Sequence, residues 1–342
     1  MESSPATSVA KVMEGPGQAL TTVERAVPEP GPGEVVVRVR ASSLNFHDRV
    51  NLMGLIDGPW PRVPLSDGAG EVVAVGEGVD DLALGDRVIS AFHPLWLDGP
   101  PTREAKSDCP GDTSDGWLRQ HVAAPAATLT RAPGHLSDVE AASLVCAGVT
   151  AWSSLELGPH GMVGPGDVVV TLGTGGVSLF VVQLAKALGA TVVLTSSSDA
   201  KLEVGRALGA DHGIDYVTTP EWDREVRALT DKRGADLVVD LAGATLGRSV
   251  GATRMGGTVV VAGVLGGFGP TEIPVSRVMT QNIRLNGVTV GSVAAHRALA
   301  AFVGQHSIVP RVSHTFGWDD VEEALQVLDA NEHIGKIGIT VP

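Results

Sequence analysis

Cysteine, tyrosine and basic side chains are scarce in this chain, and each shortage closes off a class of protein. Two cysteines, Cys109 and Cys146, cannot build a disulfide framework, and with no Cys-x-x-Cys pair there is no zinc ribbon or finger. The chain reads as reduced and cytoplasmic. Its single tyrosine, Tyr216, is followed four residues on by Pro220, so a catalytic Tyr-x-x-x-Lys pair is ruled out. Lysine and arginine number 25 against 39 acids, a formal net charge of −14 that repels phosphate backbones and anionic lipid. Nucleic acid is not an expected partner. The opening Met1-Glu2-Ser3-Ser4-Pro5 lacks the basic start and apolar run of a secretory signal. The most apolar stretch, Val168 to Thr195, is cut by glycines and polar residues before it reaches the ~20 residues of a membrane span. A soluble protein without a membrane partner is the expectation.

What is present points to two ordinary globular domains. The 342 residues are 43% apolar and 19% charged, and domains usually take ~100 to 200 residues each. The 43 glycines and 21 prolines follow no collagen-like period, so they punctuate strands and turns. Early runs such as Glu34 to Arg40, Gly70 to Val75 and Asp86 to Ile89 are short and β-branched, which predicts a mostly antiparallel, barrel-like domain. From about Asp138 helix-like and strand-like segments alternate, as in a doubly wound parallel sheet. Its strands are expected at Asp167 to Leu172, Thr191 to Thr195, Gly213 to Tyr216, Asp236 to Asp240, Thr258 to Val264 and Arg284 to Val290. After Gly291 two helices and two strands return to complete the first domain. The expected division is 1–137 with 292–342, and 138–291. Leu95 to Trp117, with Pro100-Pro101 and Pro110-Gly111, reads as a surface loop.

The sharpest local signal is Gly173-Thr174-Gly175-Gly176-Val177-Ser178, directly between a buried strand and an amphipathic helix. Gly173 permits a tight exit from the strand, and Gly175 lets backbone N–H groups approach a pyrophosphate. The helix N-terminus adds partial positive charge. Ser178 stands at the third glycine position and is still small enough for helix to pack on strand. The next strand runs into Thr195-Ser196-Ser197-Ser198, with no carboxylate where one would hold the 2′-hydroxyl of NAD. Hydroxyls followed by Lys201 suit a 2′-phosphate, so NADP(H) is the expected cofactor. Asp199 is assigned to capping the following helix.

With these residues in place the chain resembles the medium-chain dehydrogenase/reductase superfamily, in particular its zinc-independent, quinone-oxidoreductase-like branch. The markers are Ala41 to Asp48 (ASSLNFHD), Ser66 to Val72 (SDGAGEV), Gly85 to Val88 (GDRV), Cys146 to Trp152 (CAGVTAW), the glycine turn, Leu208 to His212 (LGADH) and His333 to Lys336 (HIGK). The resemblance implies an α/β protein: a GroES-like catalytic domain, a Rossmann domain, and a substrate cleft between them. It also implies Ser197, Lys201 and Tyr216 as neighbours of the 2′-phosphate, with Ser196, Asn45, Thr150, Gly263, Val264, Val288, Thr289 and Val290 along the rest of the cofactor. Zinc-dependent members carry ligands at the places of Asn45, Ser66 with Asp67, and Cys146. One usable ligand survives here, whereas catalytic zinc takes three. No metal is expected, and Cys146 reads as a buried apolar residue.

Without a Lewis acid, a substrate carbonyl must be activated by hydrogen bonds aimed at its oxygen. Asn45 is the first candidate donor. Asp48 is a candidate to orient it or relay a proton, with helix capping as its alternative duty, and His47 is a candidate proton donor. Relatives often carry Gly-Ser-Arg after the last Rossmann strand, but here Gly291-Ser292 is followed by Val293. The expected reaction is hydride transfer from NADPH to an α,β-unsaturated carbonyl or a quinone. An alcohol dehydrogenase or carbonyl reductase, and a non-redox nucleotide-binding protein or cyclase, remain alternatives. A homodimer joined through Thr258 to Val264 or Arg284 to Val290 completes the set of expectations.

Overall fold

The computed structural model describes residues 7–342, so the Met1–Pro5 segment lies outside the described residues. The chain divides into two compact units, one running up to Val149 and including Gly291–Pro342, the other spanning Thr150–Val290.

The first unit is built on a seven-stranded sheet. Its order is Val312–Phe316, Lys336–Thr340, Glu34–Leu44, Ala69–Val75, Arg87–Ile89 and Thr130–Arg131, with His121–Pro125 also paired to Glu34–Leu44. All pairings are antiparallel except that of Val312–Phe316 with Lys336–Thr340. The path is open rather than closed into a barrel. A separate hairpin pairs Thr7–Val12 with Thr21–Ala26. The β-branched run Val35, Val36, Val37 and Val39 is at most 1% exposed and forms the centre of the core. Gly70 sits opposite Val39, where a Cβ would lie 2.2 Å from the carbonyl oxygen of Arg38. Only glycine allows that approach. The last strand pairs Ile337 with Leu44 and Gly338 with Ser43, which sets Lys336 beside Asn45.

The division between units falls later than the 137/138 switch read from the sequence. Helix Asp138–Ala142 starts at a capping box, in which Ser137 N–H donates to the Glu140 carboxylate at 2.8 Å and Glu140 N–H to the Ser137 hydroxyl at 3.3 Å. It packs on Glu34–Leu44 and Lys336–Thr340, and so belongs to the first unit. The excursion from Leu95 to Trp117 also departs from expectation. Its early part is exposed, but Cys109, Asp112 and Trp117 are buried.

The second unit is a six-stranded parallel sheet ordered His212–Asp215, Thr191–Ser196, Val168–Leu172, Ala235–Asp240, Thr253–Val261, Arg284–Gly287. In chain order that is 3-2-1-4-5-6, the doubly wound arrangement, whose ligands bind outside the carboxyl ends of the strands. Every residue from Ala235 to Asp240 is buried, as a strand covered on both faces requires. Three strands end sooner than expected, at Asp215, Val261 and Gly287. Gly263, Val264, Val288, Thr289 and Val290 therefore stand in the connections beyond those ends. Thr253–Val261 is interior, so of the two strands suspected of pairing with another copy only Arg284–Gly287 is an edge.

Candidate nucleotide and catalytic sites

The glycine turn follows strand Val168–Leu172 and opens helix Gly176–Ala187. Gly173 takes φ +81°, a conformation side-chain-bearing residues rarely adopt, and its N–H donates to Thr195 O at 2.8 Å. Gly175 is the N-cap; a Cβ built there meets nothing within 4 Å, so the face that a pyrophosphate would approach is open. Ser178 is fully buried and donates its hydroxyl to Leu172 O at 2.7 Å, which ties the first helical turn to the strand. Thr174 is buried, whereas Gly176 and Val177 are partly exposed. These features fit a dinucleotide.

The residues expected around a 2′-phosphate gather at one sheet end. Ser196 closes its strand opposite Asp215, and Tyr216 N–H donates to Ser196 O at 3.0 Å. Tyr216 is exposed, while Ser197 and Lys201 are partly so. Ser198, not Asp199, is the N-cap of helix Asp199–Ala207, accepting from Lys201 N–H at 3.4 Å. Asp199 occupies the first turn, where its charge favours the helix dipole. Thr150 is buried at the start of the second unit, and its carbonyl accepts from the Ser154 hydroxyl at 2.7 Å. Val288 N–H donates to Val261 O at 3.0 Å, Val290 is buried at φ +58°, and Thr289 and Val264 are exposed.

In the first unit Asn45 is the N-cap of helix Phe46–Leu52, and Asp48 is its third residue rather than its cap. Both Asp48 oxygens are engaged: Oδ2 accepts from Asn45 N–H at 2.8 Å, and Oδ1 accepts from the N–H and hydroxyl of Ser66 at 3.1 and 3.3 Å. Burial, and then the charge of Asp67, hold the Asp48 carboxyl above the usual carboxylate range. Its geometry is that of a brace between the helix start and the Ser66 segment.

Lys336 is the residue that sequence reasoning passed over. It is 3% exposed, and its ammonium donates to Leu44 O at 2.7 Å, Asn45 Oδ1 at 2.5 Å and Asp67 Oδ2 at 3.2 Å. All three of its N–H bonds are spent. The Ser43 hydroxyl donates to the same Asp67 oxygen at 2.5 Å. Because an ammonium only donates, the Asn45 amide must turn its oxygen to Lys336 and its nitrogen away. That nitrogen is buried and has no hydrogen-bond partner. Asn45, a committed Ser66 and an ammonium do not make the zinc site of the metal-dependent relatives. Alternation offered no clue, since it sets Lys336 on the face opposite Ile337 and Ile339, yet every residue from Lys336 to Ile339 is buried.

His47 points elsewhere. Its Nε2 lies 3.9 Å from Cys109 Sγ and 3.6 Å from Asp112 Oδ2, and its ring meets Phe92 edge-on at 5.1 Å. Burial, and then the charge of Asp112, push the Cys109 thiol up, so it holds its proton. Cys146 lies on the π-helical segment Leu144–Gly148 and is partly exposed, not buried as expected.

Comparison with known proteins agrees with this anatomy. The model of the alcohol dehydrogenase GroES-like domain matches residues 31–134, and that of the zinc-binding dehydrogenases matches 176–305. A zinc-type alcohol dehydrogenase-like protein of Schizosaccharomyces pombe is 38% identical over 94% of this chain and 95% of its own length. An alcohol dehydrogenase of Moraxella sp. is 31% identical, covering 84% and 85%. The crystal structure of an NAD-dependent alcohol dehydrogenase superposes with a TM-score of 0.87 at 34% identity, covering 98% of this chain and 100% of that one. Among the described residues no helix is long and apolar enough to cross a membrane. The chain thus belongs to the medium-chain dehydrogenase/reductase superfamily, as an alcohol dehydrogenase-like oxidoreductase.

Proposed function

We propose that the protein is a zinc-independent, NADPH-dependent reductase of α,β-unsaturated carbonyls or quinones. The observation that carries this reading is the buried, partnerless Nδ2 of Asn45, held in one orientation by Lys336. A buried donor left without a partner costs about 1–3 kcal/mol, and a ligand oxygen removes that cost. As negative charge gathers on a substrate carbonyl oxygen, the Asn45 amide N–H, its orientation set by Lys336, donates to it. Lys336, held against Asp67, fixes the amide, and Asp48 fixes the backbone beneath it. The proton that completes the saturated carbonyl comes from solvent.

Gly173 to Ser178 would hold the pyrophosphate, and Ser197, Lys201 and Tyr216 the 2′-phosphate. Bound NADPH supplies the hydride. Exposed Leu265, Phe268, Val275, Met279 and Leu285 accompany the edge strand Arg284–Gly287, which supports a homodimer joined there.

A second reading, alcohol oxidation or carbonyl reduction, is favoured by relatives described as alcohol dehydrogenases. Initial rates on a panel of enones, quinones, aldehydes and alcohols, with NADPH or NADH and with or without EDTA, decide between the two. The first reading expects enone or quinone turnover that survives chelation. In the same assay Lys201→Ala should raise the KM for NADPH about tenfold or more, the size of a lost charge-assisted bond to phosphate, and leave that for NADH nearly unchanged. Equal effects on both nucleotides would remove Lys201 from the 2′-phosphate site.

A further inference from the structure

Outside the Asn45–Lys336 network, one cluster gathers three different metal-ligating side chains. His47 Nε2, Cys109 Sγ and an Asp112 oxygen all lie within 4.8 Å of one another, and both loop residues are buried. We propose that these three residues bind a divalent transition ion of the zinc or cobalt class, through a donor set other than the Asn45, Ser66–Asp67 and Cys146 places at which zinc-dependent relatives hold theirs.

The local chain is built for this. Cys109-Pro110-Gly111-Asp112 is a type II turn: Asp112 N–H donates to Cys109 O at 3.0 Å, proline stands second, and Gly111 takes φ +85°. A Cβ on Gly111 would lie 2.8 Å from Leu65 N, so that position is closed to larger residues for two independent reasons. The turn brings the first and fourth side chains to the same histidine. Two buried side chains then clamp it from behind. Asn51 Nδ2 donates to Gly111 O at 2.5 Å, Arg62 Nη1 donates to Asp112 O at 2.8 Å, and Arg62 and Asn51 are bonded to each other at 2.5 Å. Burying an arginine and an asparagine to hold a turn on a loop goes beyond what loop closure alone needs.

The distances suit a small ion. Bond lengths of about 2.0–2.3 Å to N, O and S place tetrahedral ligand atoms about 3.4–3.6 Å apart. The observed 3.6 Å from His47 to Asp112 is already there, 3.9 Å to Cys109 needs a contraction of a few tenths of an ångström, and Cys109 to Asp112, within 4.8 Å, closes as the ion draws the turn in. Asp112 Oδ1, buried without a hydrogen bond, faces Arg62 Nη1 at 3.8 Å. That guanidinium offsets part of the carboxylate charge and leaves Oδ2 directed to the ion. Thiol, imidazole and carboxylate together select a borderline cation over calcium or magnesium. The Cys109 thiol releases its proton to solvent as the S–metal bond forms. A fourth position stays open to water. The ion would join the start of helix Phe46–Leu52 to the excursion loop. This inference stands apart from the hydride reading, since its test uses neither substrate nor nucleotide.

The full-length protein, stripped with EDTA and kept reduced, is titrated with cobalt(II). One equivalent should bind, with a thiolate-to-cobalt charge-transfer band in the near ultraviolet and visible bands of tetrahedral strength. Cys109→Ser should abolish the charge-transfer band, Cys146→Ser should keep it, and Asp112→Asn should weaken binding at least ~10-fold, the scale of one lost ligand or its supporting contact. X-ray absorption on the zinc-loaded wild type gives a reading that needs no variant: one sulfur at about 2.3 Å, with the other scatterers N or O at about 2.0 Å. Absence of stoichiometric binding, a band that survives Cys109→Ser, or a zinc shell with no sulfur or with two would overturn the proposal.

Discussion

An asparagine amide has an acceptor end and a donor end, and at Asn45 a lysine decides which is left without a partner. The consequence is testable with a nearly isosteric change. Asn45→Asp keeps an oxygen for Lys336 but replaces the free N–H with an acceptor, so the turnover number should fall by about 10²–10³, the cost of one missing oxyanion donor. Nucleotide affinity, followed by fluorescence titration, should change far less. Unchanged turnover in the variant would take Asn45 out of the reaction. Asn45 was visible in the sequence because it stands where relatives place a metal ligand. Its lysine was not, because 291 residues separate the two and only strand register brings them together.

The elements themselves were largely legible, and the departures have local causes. Alternation of β-branched strands with apolar helices gave all six strands of the second unit and their helices. The end of the last strand was overshot because β-branched Val288, Thr289 and Val290 continue past Gly287, where pairing with the neighbouring strand stops. Ser198-Asp199 offers two adjacent capping residues, and composition alone does not choose between them. The loop around Cys109 read as solvent-facing because proline, glycine and acids dominate it; burial came from the distant Asn51 and Arg62. Helix Val293–His306 carries a further feature that no pattern revealed. His296 is buried, its Nε2 has no hydrogen-bond partner, and burial followed by the charge of Arg297 lowers its pKa from 6.5 to about 3. The unfolded chain takes up a proton as pH falls below 6.5, and the folded chain does not until about 3. Stability is therefore lost across that window as pH falls, by roughly 4 kcal/mol at the acid end. His93, lowered by burial to about 4, adds to the loss with the same sign. His296→Leu should flatten the decline between pH 6.5 and 4 in urea unfolding; an unaltered slope would show that His296 is charged in the folded state.

For the whole molecule, the surface around the edge strand Arg284–Gly287 carries the proposal of a pair of chains. Val275 and Met279 are about 70% exposed on a helix none of whose residues is buried. Single apolar residues at a surface are common, but two this exposed on the helix that leads into an edge strand call for a cover. Sedimentation velocity at micromolar concentration should give twice the chain mass, and Val275→Asp with Met279→Asp should halve it without altering the far-ultraviolet circular dichroism. A wild-type monomer would refute the pairing.

The first unit is assembled from two stretches of chain that enclose the second, and this sets an order on its birth. As the polypeptide leaves the ribosome, Thr150–Val290 is available in full while the sheet around Glu34–Leu44 still lacks the strand that carries Lys336. Until that strand emerges, Asp67 and the Asn45 oxygen wait without their cation. The second unit can thus fold before the sheet that joins Asn45 to Lys336 is complete, so a translation product that stops soon after Val290 would contain the whole parallel sheet but not the finished Asn45–Lys336 network.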